Sequence, residues 1–300
     1  MMFSRPLGGG VDLIEIVEFV GPTHDAQWML PDAEPGTLAA NEGLLSGFWM
    51  RRTNRLVFTY QLWLLKTSDT VALIDTGCGN HKSRISPCQN QINTPVLDWL
   101  EAAGAAPDDV THVIHTHLHS DHVGWNTRLV DGRWLPTFPN ATYYMPKLDY
   151  ELFKGRRAVS MRPEMYEPVM IDSVNPVMQA GLVRFIEAGD EVAGLRAIAT
   201  PGHTPGHLAY LFEHRGEQFI FAGDVFHSPL QVLYPQINSR WCEDQAMARR
   251  TRHNLLCTAA ERDAAIFPAH AKGVHGWRIG RRKDGFLVGF DDKIRQVTKP

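Results

Sequence analysis

Six consecutive residues in the middle of the sequence carry four groups that can bind metal ions. The segment 117–122 reads HLHSDH and supplies three imidazoles and one carboxylate. Zinc takes neutral imidazole nitrogen and carboxylate oxygen at about 2.0–2.2 Å, usually with four ligands. A turn-rich segment cannot easily direct all four groups at one ion, but it can divide them between two adjacent ions. The segment therefore predicts a two-metal site on a loop.

Candidate ligands elsewhere share one local context: each follows a short run of strand-forming residues. His117 follows the run 110–114, His203 follows 195–200, Asp224 follows 219–222 and His270 follows 264–267. Strand ends are rigid, and the loops beyond them can bring distant side chains to one edge of a sheet. Four such loops converge most simply on a metal site. One ion is assigned to His117, His119 and His203, the other to Asp121, His122 and His270, with Asp224 bridging both.

The rest of the chain predicts mixed α/β structure. Residues 57–65 and 70–74 are typical of a hairpin that leads into Asp75-Thr76-Gly77. Thr94 is a good N-cap and Pro95 suits a first helical position, so a helix begins there and ends at Gly104. Further strands are predicted at 141–145 and 208–212, and helices at 146–153 and 243–260. We predict one compact domain over 1–300, with 1–55 as an N-terminal extension of few periodic signals.

These motifs together resemble the metallo-β-lactamase superfamily. The resemblance covers about residues 57–270 and rests on five motifs in the family's order. They are Asp75 in Asp-Thr-Gly, the HxHxDH segment, PGHTPGH at 201–207, Gly223-Asp224 and Pro268-Ala269-His270. The resemblance implies an α/β fold, the αββα sandwich of the metallo-β-lactamase type, with the metals at one edge of its sheets. An iron-dependent redox branch carries Glu at the second ligand position, whereas this chain has His119, which favours hydrolysis.

The remaining histidines and Asp75 receive other roles. Asp75 is expected to orient a ligand rather than to bind metal. His112 and His115 fall outside the motif and are expected to be structural, and His207 is expected to support its loop. The histidines without a signal beyond their residue type are His24, His81, His214, His227, His253 and His275.

The expected function is a two-metal hydrolase. Two metal ions about 3.5–4 Å apart can share a water and lower its pKa to near 7. We expect the bridging hydroxide to attack a small-molecule ester, lactone or phosphotriester, with Asp121 and Asp224 as candidate catalytic carboxylates. The expected ions are two Zn²⁺, with Mn²⁺, Fe²⁺ or Co²⁺ as alternatives. A glyoxalase II-like thioesterase or a hydrolytic dehalogenase is the alternative, and a nuclease is less favoured.

Charge and composition limit the binding partners and the cellular location that we expect for this protein. The net charge is −3 and no long Lys/Arg block occurs, so nucleic acid is not an expected partner. Asp12, Glu15 and Glu18 interrupt the apolar N-terminal run, so we expect neither a signal peptide nor a membrane span, and a cytoplasmic location. The four cysteines form no CxxC pair and are expected to be free thiols. The expected partner is a small-molecule substrate, and the aromatic residues of the extension are candidates for an apolar pocket or a homodimer contact.

Overall fold

The computed structural model of the protein describes residues 1–154 and 163–290. These residues fall into two compact units. The first comprises Met1–Glu18 and Tyr60–Ala193, and the second comprises Phe19–Thr59 and the described residues from Gly194 onward. The single domain over 1–300 stays a prediction.

The strands and helices are mostly short. The strands are β1 Met2–Gly8, β2 Val11–Asp25, β3 Trp49–Met50, β4 Arg55–Lys66, β5 Val71–Ile74, β6 His112–Ile114, β7 Thr127–Val130, β8 Arg133–Pro136, β9 Thr142–Pro146, β10 Val183–Ile186, β11 Glu191–Val192, β12 Leu195–Ala199, β13 Leu208–His214, β14 Glu217–Gly223, β15 Ala265–Pro268, β16 Arg278–Arg282 and β17 Gly285–Gly289. The α-helices are α1 Ala26–Met29, α2 Pro35–Ala40, α3 Val96–Ala102, α4 Lys147–Phe153, α5 Pro163–Val169, α6 Asn175–Gln179, α7 Leu230–Leu233 and α8 Gln245–Arg262, with a π-helix at Met170–Val174.

The first unit is built on a sheet with the strand order β1-β2-β4-β5-β6-β9-β10. Strand β5 is antiparallel to β4 and parallel to β6, and β6 is parallel to β9. Because parallel strands end at the same edge of a sheet, the residues after β5 and after β6 lie beside each other. Those residues are Asp75 and the segment 117–122. A buried apolar cluster that includes Leu73, Val113 and Tyr143 fixes these strands.

The second unit contains a sheet in which β12, β13, β14 and β15 are neighbours in chain order. Strand β13 is antiparallel to β12 and to β14, and β14 is parallel to β15. The carboxyl ends of β12, β14 and β15 therefore share one edge. His203, Asp224 and His270 come shortly after these three ends. The sheet packs on the long helix α8 through Leu255, Leu256 and Ala259.

Most predicted elements are confirmed to within one or two residues, but one prediction is wrong. Thr94 does not cap α3, whose N-cap is Pro95 without a side-chain hydrogen bond. The N-terminal extension, where the sequence gives few periodic signals, contains β1 and β2, which pair as antiparallel strands. Glu15 and Glu18, which interrupt the apolar run of β2, are buried.

The four cysteines all lie within the described residues and are thiols rather than disulfides, as expected. Within residues 1–154 and 163–290, no helix has both the length and the apolar character needed to cross a bilayer.

Candidate metal centre

His117 and His119 of the first unit present ring nitrogens to each other. His117 Nε2 lies 3.0 Å from His119 Nδ1. The other nitrogen of His117, Nδ1, lies 3.0 Å from the hydroxyl of Thr116. Two ligands about 2.0–2.1 Å from one tetrahedral ion are about 3.3 Å apart, so a separation of this size suits coordination of one metal ion. The Thr116 hydroxyl fixes the ring and leaves Nε2 as the atom for the metal.

Asp75 orients His122. Its Oδ2 lies 2.8 Å from His122 Nδ1, and the two carboxylate oxygens accept hydrogen bonds of 2.8 Å from the Thr116 backbone N–H and hydroxyl. A carboxylate that holds Nδ1–H fixes the tautomer in which Nε2 is free to bind metal. Asp75 therefore occupies the orienting position expected of it. Asp121 follows on the same loop, with its Oδ1 3.9 Å from His122 Nε2.

Glu18, which was not singled out from the sequence, anchors the loop after β5. Its carboxylate accepts hydrogen bonds from the backbone N–H of Cys78 at 2.6 Å, from that of Gly79 at 3.2 Å and from Trp125 Nε1 at 2.7 Å. Burial raises the pKa of Glu18, and these donors oppose that rise. The residue thereby connects the Asp-Thr-Gly loop to the residues just beyond His122. No sequence signal marks it, because its partners lie about 60 residues or more along the chain.

An aromatic wall lies beside His119. The rings of Phe153 and Tyr166 stack against its imidazole at centroid distances of 6.0 and 6.1 Å. The two aromatic rings are 4.5 Å apart and largely buried. One side of this imidazole is therefore apolar, which suits a substrate with a hydrophobic substituent.

In the second unit, three imidazoles surround the carboxylate of Asp224. His203 Nε2 lies 3.2 Å and His227 Nε2 3.3 Å from Asp224 Oδ2, and His270 Nε2 lies 3.1 Å from Oδ1. All four side chains are at most 4% exposed. Imidazole nitrogens and carboxylate oxygens are ligands that zinc takes, so this buried group could hold a metal ion.

Backbone and side-chain contacts hold the loops of this second set. His270 Nδ1 lies 3.1 Å from the carbonyl oxygen of Thr59, which leaves Nε2 toward Asp224. The Asp224 backbone N–H donates to His207 Nε2 at 3.0 Å, and His207 Nδ1 lies 2.7 Å from the hydroxyl of Thr200. His207 therefore supports the Asp224 loop through the backbone, as expected from its position in PGHTPGH.

Gly202 allows the PGHTPGH loop to approach the start of α8. Its φ is +129°, and a Cβ there would lie 2.3 Å from the backbone nitrogen of Ala248. A larger residue at 202 would displace the neighbouring His203.

The two sets of donors fit divalent metal ions. In the first set His117 and His122, and in the second His270, have their other ring nitrogen next to a hydroxyl, a carboxylate or a carbonyl, as is usual for metal-binding histidines. The first unit contributes His117, His119, Asp121 and His122, and the second contributes His203, Asp224 and His270. His227 is a further imidazole of the second set that the sequence did not single out. The available signal was its position three residues after Asp224, on the same loop.

Comparison with known proteins identifies the family. The sequence profile of the metallo-beta-lactamase superfamily matches residues 57–270, which is more than half of the chain. The chain belongs to that superfamily. The α/β fold class of the metallo-β-lactamase type, predicted from the motifs, is confirmed.

Individual relatives and solved structures are also similar to this chain. The N-acyl homoserine lactonase of Bacillus cereus is 26% identical over 165 residues, which cover 50% of this chain and 57% of that protein. The chain spans about three fifths of the length of the curated relatives it matches. Among solved structures, the hydrolase AbOPH has a TM-score of 0.81 at 20% identity, and the dizinc quorum-quenching lactonase AidC has 0.79 at 19%. Both alignments cover 98% of each chain, and they show that the fold is shared.

Proposed function

We propose that this protein is a two-metal hydrolase of small-molecule lactones and esters, with phosphotriesters as further substrates and Zn²⁺ as its metal. The observation that carries the proposal is the orientation of the ligand histidines. In His117, His122 and His270, a polar group lies at Nδ1, so that Nε2 is left for an ion. A partner of this kind at the second ring nitrogen is usual for metal-binding histidines, so the arrangement supports the proposal.

The proposed ligands divide as the motif order suggests. His117, His119 and His203 would hold one ion, and Asp121, His122 and His270 the other. Asp224, with its two oxygens close to histidine nitrogens, would bridge them. Membership of the superfamily supports this set, because the matched residues 57–270 include every one of these ligands.

Divalent ions held by these residues would supply Lewis acidity and would make a water molecule more acidic. The side chains of the protein then have defined tasks. Asp121 and Asp224 are proposed to accept and pass on the proton released in hydrolysis. Phe153 and Tyr166, stacked beside His119, are proposed to face the apolar part of the substrate.

Lactones lead among the substrate classes because relatives and structural neighbours include proteins named as lactonases. The alternatives are a glyoxalase II-like thioesterase, a hydrolytic dehalogenase and, less favoured, a nuclease. Each predicts turnover of a different bond, so one panel separates them.

The test is a substrate panel on protein of measured metal content. It contains N-acyl homoserine lactones, aryl esters, phosphotriesters, thioesters and halogenated aromatics, with the metal-stripped protein as control. We expect lactone or ester hydrolysis that disappears on removal of metal and returns with Zn²⁺. Full turnover by the stripped protein would contradict the metal mechanism, and turnover of thioesters alone would replace the substrate class.

A further inference from the structure

We propose that His227 is an additional metal ligand, so that Asp224, His227 and His270 form a three-ligand metal set within the second unit. Potential ligand atoms of these three residues all lie within 4.8 Å of one another. The proposal rests on the metal-dependent function proposed above but assigns a residue outside its seven ligands.

The distances around Asp224 suit a shared ion. His227 Nε2 is 3.3 Å from Asp224 Oδ2, and His270 Nε2 is 3.1 Å from Asp224 Oδ1. Ligands bound at about 2.0–2.1 Å in tetrahedral geometry lie about 3.3 Å apart, so both distances correspond to one edge of such a polyhedron. Two histidines and one carboxylate are also a ligand set found in catalytic zinc sites that keep one position open.

The surroundings of the His227 imidazole offer no other polar function. Its side chain is 1% exposed, and in the part of the chain that the structure describes its only polar contact is with Asp224. Its other neighbours are rings: those of His203 and His270 each lie 5.2 Å away, and that of Phe58 lies 5.9 Å away. Native proteins rarely bury an imidazole with so few partners, and a metal ion would supply the missing one.

The backbone at His227 is held firmly enough for a ligand. Its N–H donates to Gln231 Oε1 at 2.7 Å, and the buried Gln231 amide donates to the carbonyl of Ile237 at 3.0 Å. A ligand on a loop fixed by such contacts loses little freedom when it binds an ion.

The deciding variant is His227→Phe in the full-length protein. It keeps a ring against His270 and Phe58 but removes both nitrogens. His253→Phe is the matched control, because His253 is exposed on α8. We measure bound Zn²⁺ per chain, the Zn²⁺ dissociation constants by chelator competition and the visible spectrum of the Co²⁺-loaded protein. Circular dichroism and the melting temperature of the metal-free forms establish that each variant folds.

We expect His227→Phe to weaken one Zn²⁺ site by about 100-fold or more and to change the Co²⁺ spectrum, while His253→Phe matches the wild type. His227→Gln, whose side-chain carbonyl oxygen can ligate a metal ion, should recover part of the affinity. Two Zn²⁺ of unchanged affinity and an unchanged Co²⁺ spectrum in a folded His227→Phe protein would overturn the assignment. That result leaves the hydrolase proposal standing. Wild-type protein that binds Zn²⁺ but hydrolyses no substrate would contradict the hydrolase proposal. The Zn²⁺ affinities of the wild type and His227→Phe would still test the ligand assignment. A wild type that binds no divalent ion would overturn both.

Discussion

The two units present their candidate ligands in different ways. In the first unit, four ligands occupy one loop of six residues, and the carboxylate of Asp75 orients His122. In the second, His203, Asp224 and His270 come from three separate strand ends, and a backbone carbonyl lies at Nδ1 of His270. One set thus depends on side chains near one another in sequence, and the other on the register of the sheet. Substitution of a neighbouring side chain should therefore weaken metal binding by the first set. Metal binding by the second set should be less sensitive to the side chains around it.

The largest effect should follow removal of a ligand from either set. His122→Ala and His270→Ala should each lower kcat/KM by more than about 1,000-fold, a loss of about 4 kcal/mol in transition-state stabilisation. The reason is that each removes an imidazole that Asp75 or the Thr59 carbonyl holds in place for a metal. The measurement is kcat/KM on the best substrate of the panel, together with zinc content.

His253→Ala, on the exposed face of α8, serves as the control for both ligand variants and should leave both quantities unchanged. Equal losses would indicate that both sets are needed. Near wild-type turnover in His270→Ala would restrict the chemistry to the first set.

The orienting groups should separate the two sets further. Asp75→Asn replaces a carboxylate that lies 2.8 Å from His122 Nδ1, and partners of this kind are worth about 10–100-fold in metal affinity or activity. Thr59→Val keeps the carbonyl that lies 3.1 Å from His270 Nδ1, so it should change metal affinity by less than about threefold. Zinc affinity by chelator competition measures both. A comparable loss in the two variants would remove the proposed distinction between side-chain and backbone orientation.

The two sets of ligands are also predicted from the sequence by different signals. The segment 117–122 is recognisable by itself because its four ligands are adjacent. His203, Asp224 and His270 were found because each follows a recognisable strand, and the parallel pairing of β14 with β15 explains why their ends share an edge. The assignment of the seven ligands to two ions stays a prediction, because four of them belong to the first unit and three to the second.

The sequence does not identify residues whose role depends on contacts that form only in the folded chain. Glu18 reads as a charged interruption of an apolar run, yet its hydrogen bonds come from Cys78, Gly79 and Trp125. His227 escaped because it belongs to no motif, and only the chain path after β14 brings its Nε2 to 3.3 Å from Asp224. The local sequence pattern predicts helices and strands well. Whether a polar residue is buried depends on contacts with distant residues, which the local pattern does not contain.

The units also differ in how they bury a cation. Lys82 Nζ donates to Thr127 Oγ1 at 2.8 Å and to the carbonyl of Asp172 at 3.0 Å, and it lies 3.9 Å from the centre of the Trp134 ring. Burial lowers the pKa of Lys82 from 10.5 to about 7. Arg252 of the second unit donates instead to backbone carbonyls, those of Val225 and Pro235 among them, and burial lowers its pKa only to about 10.

This difference predicts that two methionine variants respond differently to pH. Between pH 7 and about 10, the unfolded chain holds a proton on residue 82 that the folded protein has lost, so the free energy of unfolding rises with pH. The contribution reaches about 1.4 kcal/mol per pH unit at most, and Lys82→Met should remove it. Arg252→Met should keep that slope between pH 7 and 9, because Arg252 stays protonated there. Urea unfolding at pH 7, 8 and 9 measures the slopes. Parallel curves for Lys82→Met and the wild type would contradict the assignment.

The smallest effect should come from single hydroxyls. The Thr94 hydroxyl donates to Glu18 Oε1 at 3.2 Å, but Glu18 keeps its hydrogen bonds from Trp125 and from two backbone N–H groups when Thr94→Val removes that donor. The expected loss in the free energy of unfolding is therefore about 0.5–1.5 kcal/mol. Thr200→Val in the second unit removes a hydroxyl that lies 2.7 Å from His207 Nδ1, and because both residues are buried it should cost somewhat more, about 1–3 kcal/mol. Urea unfolding at pH 7 measures both. A larger loss for Thr94→Val than for Thr200→Val would mean that the Glu18 anchor depends on that hydroxyl more than its other three donors imply.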